Sequence, residues 1–191
     1  MSESKRRWPR RLLIGSVVLG VVGWLGFSVA QSNSDGPLND IIPGGKLSSG
    51  ELVTTPVTDW SFAAGKTIEL QLEDPAKSRW VGLQVYNQNL YIPCDLGFMW
   101  GRMNGRTRDV LHLIYRFKNW HKHAERDGRV VLRIDGKRYP LQATRVTDAA
   151  EIAALKLNLE ELARGWMAPE TLGPEPVSGP RDIWFFRLAP R

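Results

Sequence analysis

Apolar and polar positions alternate most clearly in RVVLRIDGKRYPLQATRV. Val130, Leu132 and Ile134 share one phase, Asp135-Gly136 interrupts, and a return strand runs from Lys137 to Val146. This predicts a tight hairpin with a type I′ turn, because glycine accepts positive φ without strain. The same period of two appears in KTIELQLEDPAK, where Ile68, Leu70 and Leu72 alternate with Glu69, Gln71 and Glu73 before an Asp-Pro turn. It predicts a half-buried strand. RWVGLQVYNQNLYIPC reads as a second hairpin. Val81, Leu83 and Val85 share a face, Asn87-Gln88-Asn89 turn, Leu90 and Ile92 return, and Pro93 limits the strand.

Two stretches change to a period of three to four. In RDVLHLIYRFKNWHKHAERDG, Val110, Leu113, Ile114, Phe117, Trp120 and Ala124 form one helical face, with Gly128 expected as the residue that ends it. In TDAAEIAALKLNLEELARGW, Asp148 is the expected cap and Glu151 stands three residues on, as in a capping box. Ile152, Leu155, Leu159, Leu162 and Trp166 form the stripe to be buried. Residues 95–108 have no clean period and read as a long loop. A Pro/Gly-rich loop, 168–181, precedes a last strand, DIWFFRLAP. Strands, helix, hairpin, helix, strand in that order predict an α+β, mostly β domain. It is a largely antiparallel sheet or small barrel with two packed helices.

The chain begins differently. Residues 1–11 are basic, and LLIGSVVLGVVGWLGFSVA, residues 12–30, carries no charge. At about 1.5 Å per residue that run just crosses the hydrocarbon core as a helix. The preceding cations would stay in the cytoplasm and export the rest of the chain. Ser28 and Ala30 also suit a cleaved signal peptide, and Arg10-Arg11 resembles the start of a twin-arginine export signal. Each reading puts the domain on the periplasmic or outer side of the cytoplasmic membrane. Residues 31–41, rich in Ser, Gly, Asn, Asp and Pro, read as a linker, and 42–191 as the exported domain.

Charge narrows the partners. The net charge is +6, but Lys5, Arg6, Arg7, Arg10 and Arg11 against Glu3 supply +4 of it. The other 180 residues hold 21 basic and 19 acidic side chains, a net of +2. That balance, with the compartment, argues against nucleic acid. Cys94 is the single cysteine, so there is no internal disulfide or zinc ribbon, and its apolar neighbours suit a small buried hydrophobe. On one continuous helix His121 falls on the apolar face, while His112 and His123 lie opposite and eleven residues apart, roughly 16 Å. No two of them would bind one ion, so no metal is expected and His121 reads as a hydrogen-bonded boundary residue. Glu160-Glu161 sit on a polar helix face. Lys118 and Lys122, an i, i+4 pair with Arg126 beyond, read either as a solvated face or as a grip for a phosphate-bearing ligand.

NLYIP, DGRVVLRIDGKRY and ATRVTDAAEI, followed by the final strand, fall in an order that resembles the flavin split-barrel superfamily. That group includes pyridoxamine-phosphate-oxidase-like and deazaflavin-dependent nitroreductase-like proteins. GGKLSSGELVTTPVTDWSFA upstream resembles membrane-associated members of the group. The resemblance covers roughly residues 44–148 and the last strand. It implies an antiparallel split β-barrel, a homodimer, and FMN or F420 at the interface. By position it makes Lys118 and Arg116 phosphate candidates, with Lys122 nearby, and Trp120 a wall for the ring. The connection from Cys94 to Lys118 is longer than usual, and His123 stands where relatives often have asparagine. Two functions follow: a membrane-anchored flavin- or deazaflavin-dependent oxidoreductase, or a non-enzymatic envelope protein that uses the barrel for binding or assembly.

Overall fold

A computed structural model of the chain describes residues 7–38, 42–96, 118–164 and 183–191, with backbone alone for 7–11. The first helix, α1, is Arg7–Asn33. The strands are β1 Glu51–Leu52, β2 Ile68–Leu72, β3 Lys77–Val81, β4 Gln84–Tyr86, β5 Asn89–Asp95, β6 Arg129–Ile134, β7 Lys137–Arg145 and β8 Ile183–Pro190. Helix α2 is Trp120–Arg126 and α3 is Ala149–Arg164.

All eight strands form one sheet, in the order β3-β2-β6-β7-β8-β5-β4, with β1 paired to β7 off this path. Every pairing is antiparallel except β1 with β7. The strands β3 and β4 are therefore opposite edges, yet only Gly82 and Leu83 separate them in the chain. Three Cα steps reach at most about 11 Å. Flat, the path would hold its edges roughly 29 Å apart at about 4.8 Å per strand. The sheet must curl until its edges approach, and it does so as a half-barrel.

The curl encloses one core. Ile68, Leu70, Leu72, Leu90, Ile92, Cys94, Val130, Leu132, Ile134, Phe186 and Leu188 point inward, and Trp60 and Trp120 complete it. A second cluster lies on the outer face, where α3 covers β5 and β8 through Leu155, Ala163, Tyr91, Ile183 and Phe185. Gln84 joins it, its amide donating to Leu155 O at 2.9 Å and Asn158 Oδ1 at 2.7 Å. Asp148 caps α3, accepting from Glu151 N at 2.7 Å. The carboxylate of Glu151 does not close a capping box. It accepts from Tyr91 Oη at 2.8 Å and pairs with Arg187.

Several expectations change. The 79–93 stretch is not one hairpin. Val81, Leu83 and Val85 do pack on the same core, but from opposite edges of the sheet. Its turn is Asn87-Gln88 alone, both at positive φ. Pro93 does not end β5, which continues to Asp95. Alternation aims the Pro93 nitrogen to the side where β4 would lie, and β4 pairs no further than Tyr91, so no ladder bond is lost. In α3 the buried stripe ends on Ala163, and Leu162 is exposed. Trp166 and the 168–181 loop lie outside the described residues, as does 97–117. Lys118 and Asn119 are not helical, so the long helix expected from Arg108 is broken there and α2 starts at Trp120.

Gly128 serves another purpose than ending a helix at positive φ. A Cβ there would stand 2.1 Å from the carbonyl oxygen of Ala143, on β7. Gly128 O accepts from Ala143 N at 2.7 Å, so the chain leaves α2 pressed onto the sheet. Gly82 has nothing within 4 Å of its added Cβ. Gly128→Ala should lower unfolding free energy by about 2–3 kcal/mol, as overpacked cores do. Gly82→Ala should stay within about 0.5 kcal/mol. Chemical denaturation of the two variants checks the contrast.

Candidate functional site

The inward side chains of a curled sheet should be mostly apolar, and Arg79 is one exception. Arg79 lies opposite Leu70, so its side chain enters the curl. The guanidinium makes no hydrogen bond or ion pair among the described residues, and its Nε is enclosed without a partner. Trp120 offers a ring face, with 5.7 Å from Arg79 Cζ to the centroid. Such a contact is worth about 1–2 kcal/mol, against several for taking a guanidinium out of water. Burial pulls the Arg79 pKa down to about 10.

Around it stand groups from three further elements. Cys94 of β5 is fully buried, and its thiol is pushed up to about 12, first by burial, with Asp95 adding and Lys118 and Arg79 opposing. Lys118 precedes α2 and donates from Nζ to the carbonyl oxygen of Asp95 at 2.8 Å, which fixes its ammonium beside this end of β5. Trp120 is 3% exposed and packs on Phe186, with ring centroids 5.7 Å apart. Trp184, opposite Cys94 on β8, meets the edge of His121 at 4.7 Å and carries the Arg145 guanidinium 3.4 Å above its ring. Arg145 also pairs with Glu125 at 2.7 Å.

Two of the four sequence candidates meet at this end of the curl: Lys118 fixed on Asp95, and Trp120 beneath Arg79. Lys122 is exposed on α2 and stands apart from them. Arg116 lies outside the described residues. The i, i+4 relation of Lys118 and Lys122 fails because Lys118 is not in the helix. Arg79 escaped notice although the signal was present: it shares the phase of Val81, two residues on, and the hairpin reading gave that phase the buried face. Among the described residues no three His, Cys, Asp or Glu side chains are placed to hold a metal ion.

His121 is not a hydrogen-bonded boundary residue. It is 4% exposed, and its Nδ1 is enclosed without a partner. Burial first, then Lys122 and Lys118, lower its pKa to about 4. The unfolded chain therefore binds this proton more readily than the folded one, so stability is complete above about pH 6.5 and falls as pH drops toward 4. The loss is on the order of 3 kcal/mol. His121→Phe, which keeps the edge contact and cannot titrate, should flatten that limb in unfolding curves taken between pH 7 and 4.5.

Comparison with protein-family models, with curated proteins and with solved structures finds no match to this chain.

Proposed function

We propose that this chain is a membrane-anchored split barrel that holds the phosphate of a flavin-type cofactor, FMN or F420, on the outer side of the cytoplasmic membrane. Arg79 carries the reading: its side chain is half-buried, with Nε enclosed and no counter-ion among the described residues. A buried cation without a counter-ion is destabilising on its own and is stabilised when an anion arrives. Arg79 supplies a planar fork suited to phosphate oxygens, and Lys118 a second, fixed positive charge. The fit is confined to that end. Trp120 has its faces occupied by Arg79 and Phe186, so ring stacking must come from elsewhere. A bound flavin supplies hydride or electron transfer; this chain's residues supply charge and position.

A second reading, a non-enzymatic envelope protein binding an anion in the same barrel, has its own support. Near neutral pH the Cys94 thiol is held protonated and His121 neutral. Neither is poised to move a proton. A visible spectrum of the full-length protein in detergent, then titration with FMN and with F420, separates the two. The oxidoreductase reading predicts saturable binding that Arg79→Gln weakens by about 30-fold, the worth of a charge-assisted pair. Lys122→Ala should change it by less than about twofold. No absorbance and no binding of either cofactor removes that reading.

The anchor rests on α1. Leu12–Asn33 is long and apolar enough to cross a membrane, and none of it is buried against the barrel. The sequence also admits a cleaved signal peptide, and the helix is continuous through Ala30-Gln31. Ser28 and Ser32 donate back to Trp24 O and Ser28 O, both at 2.8 Å. The uncharged run of 12–30 is longer than the apolar region of most signal peptides, and Trp24 and Phe27 add apolar area near its end. We therefore favour an uncleaved anchor with its basic end in the cytoplasm. Intact mass of the membrane-extracted protein should be 21.6 kDa; a chain starting at Gln31 contradicts the anchor.

A further inference from the structure

Composition makes residues 31–41 a flexible tether, yet the described part is fastened to the barrel at once. Gln31 Nε2 donates to Pro43 O at 2.6 Å. A Cβ on Gly45 would lie 2.4 Å from Ser32 O, and one on Gly44 would lie 1.7 Å from Gly36 O. The backbone of 44–45 thus rests on the last turn of α1 and on the chain leaving it. Asp35 Oδ1 accepts from Ser48 N at 2.7 Å and from Arg133 Nη1 at 2.9 Å. Arg133 also forks onto Glu69, and its side chain is 12% exposed. The barrel therefore touches the helix one residue beyond Ala30, where the apolar run ends. No slack remains to hold it away from a bilayer that α1 crosses.

What faces outward at this junction suits a headgroup layer. Trp80 lies directly opposite Glu69, on the outer face of β3, and is 38% exposed. Leu38, two residues past Gly36, is 45% exposed. Lys46 follows Gly45 and is exposed, roughly 10 Å from the end of α1 by chain geometry. The two carboxylates here, Asp35 and Glu69, are both engaged by Arg133, so neither confronts anionic lipid unpaired. Exposed tryptophan and lysine beside a helix end are the side chains that partition into the membrane interface.

We propose that the outer face of β2–β3 around Trp80, with Leu38 and Lys46, sits in the lipid headgroup layer and fixes the barrel's attitude on the membrane. This rests on α1 spanning the bilayer and is independent of any cofactor. The far side of the barrel is the control: α3 covers β5 and β8, across the strand order from β2–β3, and its Leu157 is 68% exposed.

The test uses full-length protein in nanodiscs of phosphatidylcholine and phosphatidylglycerol, in a Cys94→Ser background. Spin labels are placed singly through Trp80→Cys, Lys46→Cys, Leu157→Cys and, within α1, Leu19→Cys. Power saturation with oxygen and a nickel chelate reads depth. The expected result is Leu19 in hydrocarbon, Leu157 in water, and positions 80 and 46 at headgroup depth with several-fold less nickel access than 157. Lys46→Cys guards against loss of the contact by removing Trp80 itself. If 80 and 46 match 157 while Leu19 is in lipid, the surface contact is wrong and the anchor stands. If Leu19 is in water, the anchor fails and takes the contact with it.

Discussion

Two residues, Gly82 and Leu83, connect the opposite edges of the sheet, and most of the architecture follows from that short tie. A path from β3 round to β4 closes over about 11 Å only by curling. Curling gives the strands an inside, which the first core fills. It also gives them an outside, which is apolar along β5–β8 and must be covered by α3. On the opposite flank the outer face of β2–β3 is polar, and residues 42–48 cover part of it. Gly44 bridges to Ser78, and Leu47 N donates to Gln71 Oε1 at 2.7 Å. Gln71 is consequently buried, although alternation predicts that it faces water.

The curl also sets the chemistry. On a flat sheet Arg79 would lean toward solvent. Inside the half-barrel it meets Trp120, Cys94 and the charge of Lys118 instead, with no carboxylate to answer it among the described residues. The thiol and the imidazole nearby answer the same enclosure by remaining neutral. Among the described residues, Arg79 thus brings to this interior a positive charge that no carboxylate answers. Helix α1 is linked to this interior through the sheet: Arg133 of β6, which holds Asp35 and Glu69 on the outer face, is next in sequence to Leu132 of the core.

Local pattern revealed what local forces decide. The β6–β7 hairpin was legible because Asp135-Gly136 must turn there, and both adopt positive φ. The alternation of β2, the cap at Asp148 and the buried Cys94 were legible for similar reasons. Pattern failed where the answer lay across the sheet. Residues 79–86 read as a single strand of a hairpin, since nothing local says that β3 and β4 belong to opposite edges of the sheet. Gly128 looked like a helix terminator because the demand on it comes from the Ala143 carbonyl, fifteen positions away. Period three to four carried the predicted helix through Lys118, which is bonded instead to the end of β5. Of the candidate site, Lys118 was noted as half of a basic pair and again through the resemblance, and Trp120 through the resemblance alone. Arg79 needed the register.

The Arg79 guanidinium is therefore the point at which the account is most exposed, and nitrogen-15 NMR of the Arg79 Nε–H in the full-length protein in micelles reaches it directly. The account predicts a side-chain resonance without a hydrogen-bond shift in the ligand-free protein. On addition of FMN or inorganic phosphate it should move downfield and exchange more slowly with water. A resonance already shifted and protected without ligand, or one unmoved by any anion, would contradict it.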